Sequence, residues 1–394
     1  MSEFPPDWQV LPLSEVAERV RRTSDDQNLD VLTISSTEGW VDQKKKWARD
    51  MAGKSIEKYT LLQQGEFSYN KGNSKTYPQG CIFRLENWKR ALVPNVYHSF
   101  SVINPEADGR FLQHLFASGG LNDQLRSVIT SSVRDNGLLN ITADTFFSSE
   151  VPIPPLPEQK KIAEILSGID QTITKLDSQK TKYDRLFASM LSEVFADLHK
   201  SHEIRRIGEI CEVKRGASPR PIQSKKWWGD GRGWTRISDV TKSKKYLYKT
   251  KDRLSPEGEQ RSVPINPGSI ILSICATIGL PVIPKIPVCI HDGFVWFEGI
   301  EKEILPEFAY YFFLSVRDGL VSGRQTGTQG NLNTSIVSQQ LIPIPPQSEQ
   351  KRIIKLMSDM EFQAEKIDRK IQSHKNLKSS LSSDLLSGRK RVSI

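Results

Sequence analysis

The chain has 394 residues, of which 37% are hydrophobic and 26% charged, with a formal net charge of +9 and a mean hydropathy of −0.44. This length exceeds one ordinary domain, and no stretch approaches the roughly 20 apolar residues of a membrane-crossing helix or forms a secretory signal. The four cysteines contain no Cys-x-x-Cys pair, which argues against a disulfide framework or a zinc site and favours a cytoplasmic location.

Residues 1–150 are predicted to form a first globular domain of mixed α and β structure. They carry 17 basic and 19 acidic residues, so this part of the chain is slightly acidic. "VLPLSEVAERV" at 10–20 reads as an amphipathic start. "EFSYNKG" at 66–72 and "YHSFSVIN" at 97–104 read as strands, and "GRFLQHLFAS" at 109–118 as a short helix.

Residues 151–200 begin with "VPIPPLPEQKKI", which predicts an extended segment followed by a long helix. Closely spaced prolines cannot continue a helix, whereas Pro157 suits a first helical turn. From Ile162 to Val194, nine of ten positions at 3.5-residue spacing are apolar or aromatic, a coiled-coil pattern. A helix from about 158 to about 196 would span roughly 57 Å. The helix-packing residues predicted here are Ile162, Leu166, Ile169, Ile173, Leu176, Phe187 and Met190.

Residues 201–341 are predicted to form a second domain with the same kind of start, "IRRIGEICEVK" at 204–214. Strand-like runs follow at 269–284 and 288–299, then a helical run, "EFAYYFFLSV", and a polar loop at 322–333. The window 214–261 holds 14 basic and 5 acidic residues, interleaved with tryptophan and tyrosine. Cations mixed with flat rings are typical of a nucleic-acid surface; the alternative is a solvated lysine-rich surface.

The transition from a proline-rich segment to a long helix at residues 151–162 is called here the joint. Residues 342–394 begin with a second copy of this joint, "IPIPPQSEQKRI", 191 positions later. A second helix is predicted from about 349 to about 387, closed by Ser387 and Gly388. Eight of its ten positions in the same register are apolar. Lys180 in the first helix and His374 and Lys378 in the second interrupt the pattern. These three side chains either fix the register or reach outward to solvent. The packing residues predicted in this helix are Ile353, Met357, Met360, Ile367, Ile371, Leu381 and Leu385.

The duplicated joint predicts an α+β protein with two globular domains, separated by two long antiparallel helices in a coiled coil with an internal pseudo-twofold repeat. Such a frame would present one docking surface twice and hold two domains at a fixed separation. The expected divisions are 1–150, 151–200, 201–341 and 342–394.

Motifs for catalysis are incomplete wherever they occur. "ARDMAGKS" at 48–55 loosely fits a phosphate loop, but "DQKKKW" before it is not a buried strand. "EQK" in both joints lacks a consistent upstream acidic ligand, because Asp144 corresponds to Ser335 in the repeat. The six histidines form no metal-ligand pair. We therefore predict no catalytic residue, no metal site and no cofactor.

The "PIPPxxEQ" joint occurs twice, each time after a variable block that ends in "GLLNITAD" or "TGTQGNLN". This ordered pair resembles the specificity subunit of type I restriction–modification enzymes. "EVKRGASP" at 212–219 and "WTRISDV" at 234–240 look like that family's second-domain opening, whereas "AERVRRTSDD" at 17–26 lacks its glycine-proline turn. The resemblance implies a non-enzymatic protein whose two target-recognition domains each read half of a split target in double-stranded DNA. It also implies that the helices act as a spacer and dock methyltransferase subunits, which restriction subunits join.

Candidate DNA contacts divide into phosphate-binding and base-reading residues. Arginine can clasp guanine and glutamine can clasp adenine, and for every candidate the alternative is plain surface charge. Tyr69 and Asn70 are further candidates. The phosphate candidates are Lys44, Lys45, Lys46, Lys71, Lys75, Lys214, Arg215, Lys225, Lys226, Lys244 and Lys245, and the base-edge candidates are Arg220, Arg232, Arg236, Arg324 and Gln325.

Two other functions stay open from the sequence. One is a structural adaptor whose coiled coil bridges protein partners without touching DNA. The other is a DNA-modifying enzyme in its own right.

Overall fold

The computed structural model describes residues 4–24, 26, 28–35, 38–44, 57–72, 76–129, 139–322 and 332–393. The chain divides into two compact units, Met1–Asp177 with Lys370–Ile394, and Ser178–Arg369. Each unit therefore contains one globular domain and one segment from each of two long helices.

The described helices and strands are numbered in chain order. The α-helices are α1 Leu13–Val16, α2 Gly109–Ala117, α3 Asn122–Val128, α4 Ala143–Phe147, α5 Leu156–Ser201, α6 Ile207–Ile210, α7 Ile237–Lys242, α8 Pro256–Glu259, α9 Pro306–Ser315, α10 Arg317–Ser322, α11 Thr334–Ser338 and α12 Gln347–Leu385. The strands are β1 Gln9–Pro12, β2 Ala17–Arg19, β3 Leu32–Ser35, β4 Gly39–Asp42, β5 Thr60–Gln63, β6 Phe67–Asn70, β7 Cys81–Arg84, β8 Arg90–Val93, β9 His98–Val102, β10 Glu150–Ile153, β11 Ile204–Arg206, β12 Glu212–Arg215, β13 Trp228–Thr235, β14 Tyr246–Leu247, β15 Asp252–Leu254, β16 Val263–Ile265, β17 Ile271–Ser273, β18 Pro281–Pro284, β19 Val288–Ile290, β20 Phe294–Glu298 and β21 Leu341–Pro343.

The first domain is built on a four-stranded sheet in the order β2-β9-β6-β7, with the pairs β3-β4 and β5-β8 beside it. Phe67 and Phe100 face each other across β6 and β9, and their rings stack at 5.1 Å. Phe111 and Phe146, from two helices, are fully buried in the same core. The strands predicted at 66–72 and 97–104 thus form the centre of this sheet.

The second domain contains a five-stranded sheet, β12-β20-β17-β18-β14, and a four-stranded sheet, β15-β13-β19-β16. Helix α9 is apolar on nearly all sides because it is enclosed on nearly all sides. Phe308, Phe312 and Phe313 are fully buried. Phe195 of α5 lies 5.3 Å from the Phe308 ring, whereas Phe313 stacks at 4.9 Å on Phe297 of the sheet.

Both amphipathic starts fold as a strand, one helical turn and a second strand. In the first domain β1 pairs antiparallel with β10, so that Val10 faces Pro152. In the second domain β11 pairs with β21, and Ile204 faces Pro343. The proline-rich segment at 151–155 and 342–346, called here the proline strip, therefore includes a short edge strand, a position that tolerates the missing N–H. In both units the long helix follows directly after this segment.

One buried glutamine fastens each domain to its helix. Gln159 Oε1 accepts a hydrogen bond from Asp108 N (2.7 Å), and its Nε2 donates to the carbonyl oxygens of Glu106 and Pro154 (2.7 Å each). Gln350, 191 positions later, makes the same three bonds, to Leu305 N (2.8 Å) and to the carbonyls of Glu303 and Pro345 (2.9 Å each). Both side chains are inaccessible to solvent. The repeated glutamine is thus the structural fastener between each domain and its helix.

The long helices are antiparallel within each unit. In the first unit, Glu158 near the start of α5 binds Arg391 beyond the end of α12 (2.6 Å), and Asp170 further along α5 binds Lys378 (2.6 Å). In the second unit, the interrupting Lys180 of α5 lies 3.8 Å from Asp368 of α12. The predicted α+β fold with two long antiparallel helices is confirmed. Both lysines that interrupt the apolar pattern make cross-helix ion pairs, as expected of residues that fix a register.

The predicted packing positions are all buried or half-buried. The helices begin at Leu156 and Gln347, two residues before the predicted starts, and α5 continues through Gly168 to Ser201. Ala163, Leu191, Phe195 and Leu198 are also buried, because these parts of α5 face a globular domain as well as α12. The buried packing residues are Ile162, Leu166, Ile353, Met357, Met360, Ile367, Ile371 and Leu385, and the half-buried ones are Ile169, Ile173, Leu176, Phe187, Met190 and Leu381.

Candidate nucleic-acid interface

The second domain carries a row of cations along β12 and the loop that follows it. Lys214, on the strand, bridges Glu298 and Glu212, and the hydrogen bond with Glu298 raises the pKa of the Lys214 ammonium. Arg215 and Arg220 lie at the two ends of the loop, and 70% of the Arg220 side chain is exposed. The loop arginines are therefore more available to a polyanion than Lys214 is.

The tryptophan segment after this loop turns its rings inward. Trp227 is only 4% exposed, and its Nε1 donates to the carbonyl of Pro221 (2.8 Å). Lys226 lies above the Trp227 ring, 4.1 Å from its centroid, and binds Glu257 (2.9 Å). Lys225 is exposed, and its ammonium has no bonded partner among the described residues. Trp227 and Trp234 thus belong to the core, whereas Tyr248 is exposed and Lys225 is free to meet a phosphate.

The other two described base-edge candidates have ion-pair partners. Arg232 lies 3.7 Å from Glu259 and donates to the carbonyl of Ile265 (3.2 Å). Arg236 binds Asp252 (2.5 Å) and lies 5.6 Å from the Trp228 ring. Their side chains are 30% and 45% exposed, so each would have to reorganise more than Arg220 to reach a base.

The prediction for Lys245 is wrong. Its side chain is 8% exposed, and its ammonium binds Glu361 (2.8 Å), Ser358 Oγ (2.8 Å) and Tyr311 Oη (2.7 Å). A buried ammonium with three partners cannot serve a phosphate. Its neighbour Lys244 is 61% exposed and lies 3.2 Å from Glu365 of α12. This pair of lysines holds the second domain against the long helix.

An equivalent contact fastens the first domain to its helix. His114 Nε2 lies 2.9 Å from Ser167 Oγ, as Tyr311 Oη lies 3.1 Å from Ser358 Oγ in the second unit. Ser167 and Ser358 are 191 positions apart. Burial lowers the pKa of the His114 imidazole, so the neutral ring is favoured in the fold.

Four of the seven first-domain candidates fall within the described residues, namely Lys44, Tyr69, Asn70 and Lys71. Lys44 is exposed, and its N–H donates to Asp42 Oδ1 (2.9 Å). Lys71 is half-buried, and its carbonyl accepts from Leu139 N (2.8 Å). Tyr69 was a wrong candidate, because it is fully buried with its ring stacked on Phe146 at 4.5 Å. The candidates Lys45, Lys46, Lys75, Arg324 and Gln325 lie outside the described residues.

Comparison with known proteins identifies the family. The family model described as "Type I restriction modification DNA specificity domain" matches the chain twice, at residues 5–182 and 200–377. The chain belongs to this type I DNA-specificity family. Its two matches coincide with the two repeats of domain, proline strip and helix, and the function of the chain is that of a DNA-specificity subunit with two tandem recognition domains.

Relatives of this specificity family match over most of their length. A putative type I restriction enzyme MjaX specificity subunit from Methanocaldococcus jannaschii is 25% identical over 434 aligned positions, covering 100% of this chain and 96% of the relative. The EcoKI specificity subunit of Escherichia coli K12 is 21% identical, covering 77% of this chain and 72% of the relative.

Solved structures share the fold of this specificity protein. A chain from a study of complex assembly and conformational transition of the type I restriction–modification system matches with a TM-score of 0.65 at 18% identity, covering 98% of this chain and 99% of that one. The S subunit from M. genitalium matches with a TM-score of 0.56 at 13% identity, covering 96% of each chain.

The described residues offer neither a metal site nor a membrane-crossing helix. Within the described ranges, no three His, Cys, Asp or Glu side chains are grouped so that they could hold a metal ion. No described helix combines the length and apolar character that crossing a membrane requires.

Proposed function

We propose that each recognition domain reads one half of a bipartite DNA target, and that α5 and α12 set the spacing between the halves and dock methyltransferase subunits. The observation that carries this proposal is the duplicated joint. The same strand pair and buried glutamine attach each domain to a long helix, whereas the domains differ in sheet order and in net charge. Two domains that are attached to the helices in the same way but differ from each other suit the recognition of two different DNA sequences.

The chain acts in this proposal without chemistry of its own. Methylation and cleavage belong to the partner subunits, and the chain supplies sequence recognition. Methyl-transfer and cleavage assays on the purified chain with cofactors test this point. Turnover in the absence of partners would replace the proposal with a DNA-modifying enzyme.

Exposed leucines at equivalent helix positions support the docking part of the proposal. Leu186 of α5 is 50% exposed and Leu377 of α12 is 47% exposed, and the two are 191 positions apart. A repeated apolar position suits two copies of one partner. Leu186→Asp and Leu377→Asp should each weaken binding of one methyltransferase subunit, and the double variant should weaken both. Leu198→Ala removes a buried side chain of α5 and is the control that shows how destabilisation alone affects subunit binding. Unchanged subunit binding by the double variant would refute the docking site.

Binding measured against salt separates the DNA reader from the adaptor. For each tenfold increase in salt concentration, the logarithm of the DNA affinity should fall by about 0.9 for every phosphate that the protein neutralises. Lys225→Gln should reduce that slope by about 1, whereas Lys245→Gln should leave the slope unchanged because the ammonium is internal. Negligible, salt-independent binding even with methyltransferase subunits present would favour the adaptor.

Target geometry is tested by sequencing the methylated sites of a host that carries variant chains. Inserting one heptad into each long helix should lengthen the gap between target halves and leave the halves unchanged. Exchanging residues 201–341 for another reader should change one half only. An unaltered target after either the heptad insertion or the domain exchange would contradict the proposal.

A further inference from the structure

The loop between Arg215 and Arg220 rests on the turn between β19 and β20. Gly216 N donates to the carbonyl of Phe294 (2.9 Å), and Ala217 N donates to the carbonyl of Ile290 (3.1 Å). A Cβ atom on Gly216 would overlap the backbone of His291. The two segments are therefore in close backbone contact, which leaves the loop little freedom to shift.

Asp292, in that turn, binds three residues of the loop. Arg215 Nε donates to its carbonyl oxygen (2.7 Å), Ser218 Oγ donates to Oδ1 (2.7 Å), and Arg220 Nη2 donates to Oδ2 (3.0 Å). Burial raises the pKa of the Asp292 carboxyl, but the Ser218 hydrogen bond, the Arg220 and His291 charges and a backbone hydrogen bond together outweigh it, so the net shift is downward. The carboxylate is ionised at neutral pH and holds Arg220, whereas the main-chain carbonyl of the same residue holds Arg215.

Arg220 is the exposed end of this cluster. Its side chain is 70% exposed, and within the described part of the chain Asp292 is its bonded partner. One guanidinium nitrogen is thus held while the remaining N–H groups face solvent. A side chain ordered in advance loses less entropy on binding, and a planar guanidinium makes two parallel hydrogen bonds to O6 and N7 of guanine. The adjacent carboxylate offsets the positive charge, which disfavours phosphate relative to the neutral base edge.

We propose that Asp292 is a positioning residue that presents Arg220 to a guanine in the half-target read by the second domain. This inference rests on the proposed function. Ser218 supports the same carboxylate, and Arg215 anchors the far end of the loop. The specificity of the second half-target would then include a G·C pair whose recognition depends on a residue that touches no DNA.

The test uses the chain assembled with its methyltransferase subunits, with the wild-type target first determined from methylated sites. A panel of duplexes replaces each base pair of both half-targets in turn, and methylation rates are measured on each duplex. Arg220→Ala should reduce discrimination at one G·C pair of one half by about tenfold to a hundredfold. Arg220→Lys should not restore it, because an ammonium lacks the fork. Arg369→Ala, an exposed arginine on α12, is the matched control.

Asp292→Asn tests positioning, because the amide keeps an oxygen for Ser218 but loses the charge that holds Arg220. It should lower discrimination at the same G·C pair while the other half-target is still read normally, which also reports that the protein is folded. Ser218→Ala should produce a smaller loss at that pair, and it serves as the second variant if Asp292→Asn does not fold.

The outcomes separate the inference from the proposed function. A wild-type complex without sequence preference would overturn both. A specific wild type whose Arg220→Ala variant loses rate uniformly on all duplexes would make Arg220 a phosphate contact and overturn only the inference. Full discrimination in Asp292→Asn and Ser218→Ala would remove Asp292 from the positioning role.

Discussion

The buried glutamine at each joint supports a quantitative prediction about how the domains are held. Gln159 accepts from the N–H of Asp108, the residue that caps helix α2 through its own side chain. Gln159→Leu would leave that N–H and the carbonyls of Glu106 and Pro154 without this partner. A buried polar group without a partner costs about 1–3 kcal/mol. Three such groups, at about 1 kcal/mol each, lower the free energy of unfolding by about 3 kcal/mol.

Thermal unfolding and hydrogen exchange measure this effect. For a unit of this size, about 3 kcal/mol corresponds to a Tm decrease of roughly 6–12 °C. The Asp108 amide should exchange faster in the variant, whereas amides in the second unit should be unchanged. Gln171→Leu, at an exposed position of the same helix, is the matched control and should change stability by less than about 0.5 kcal/mol. A Gln159→Leu variant as stable as this control would refute the fastener role.

Three further predictions concern buried charge and protonation. Lys245→Met should lower the stability of the second unit by about 2 kcal/mol in urea unfolding, because Glu361 loses its cation; an unchanged midpoint would contradict the buried pair. Arg391→Met should cost the first unit about 3 kcal/mol, because Glu158 is 1% exposed and would keep, among the described residues, just the neutral donor of Trp8; unaffected urea unfolding would contradict this prediction. Burial lowers the pKa of His114 below its ordinary 6.5, so the unfolded chain binds this proton more readily and stability should fall as pH drops below about 6.5. His114→Gln should flatten that dependence in unfolding measured from pH 5 to 8, and an equal slope in the variant would exclude His114 as a source.

Long-range features of the fold were predictable where the sequence repeats itself. The 3.5-residue apolar spacing and the two proline strips predicted both long helices to within a few residues, apart from the continuation of α5 to Ser201. These features depend on neighbours along the chain, since helix formation and the effect of proline are local. The fastening role of Gln159 and Gln350 was missed, although the repeat marked both positions.

The candidate DNA surface was harder to predict because charge alone does not report exposure. Lys225 and Lys245 belong to the same basic window of the sequence, yet one is exposed and the other is buried. Tyr69, a further candidate, and Trp227, an aromatic residue of the basic window, belong to the domain cores.

The sequence by itself determined the duplicated plan, the two helices and the family, because spacing, proline and repeated motifs carry that information within short windows. Only the tertiary structure decided which cations remain available. Lys245 is neutralised by a carboxylate 116 positions away, and Arg220 is oriented by one 72 positions away. Ion pairing and burial depend on distances in space, which a linear pattern of charges does not contain.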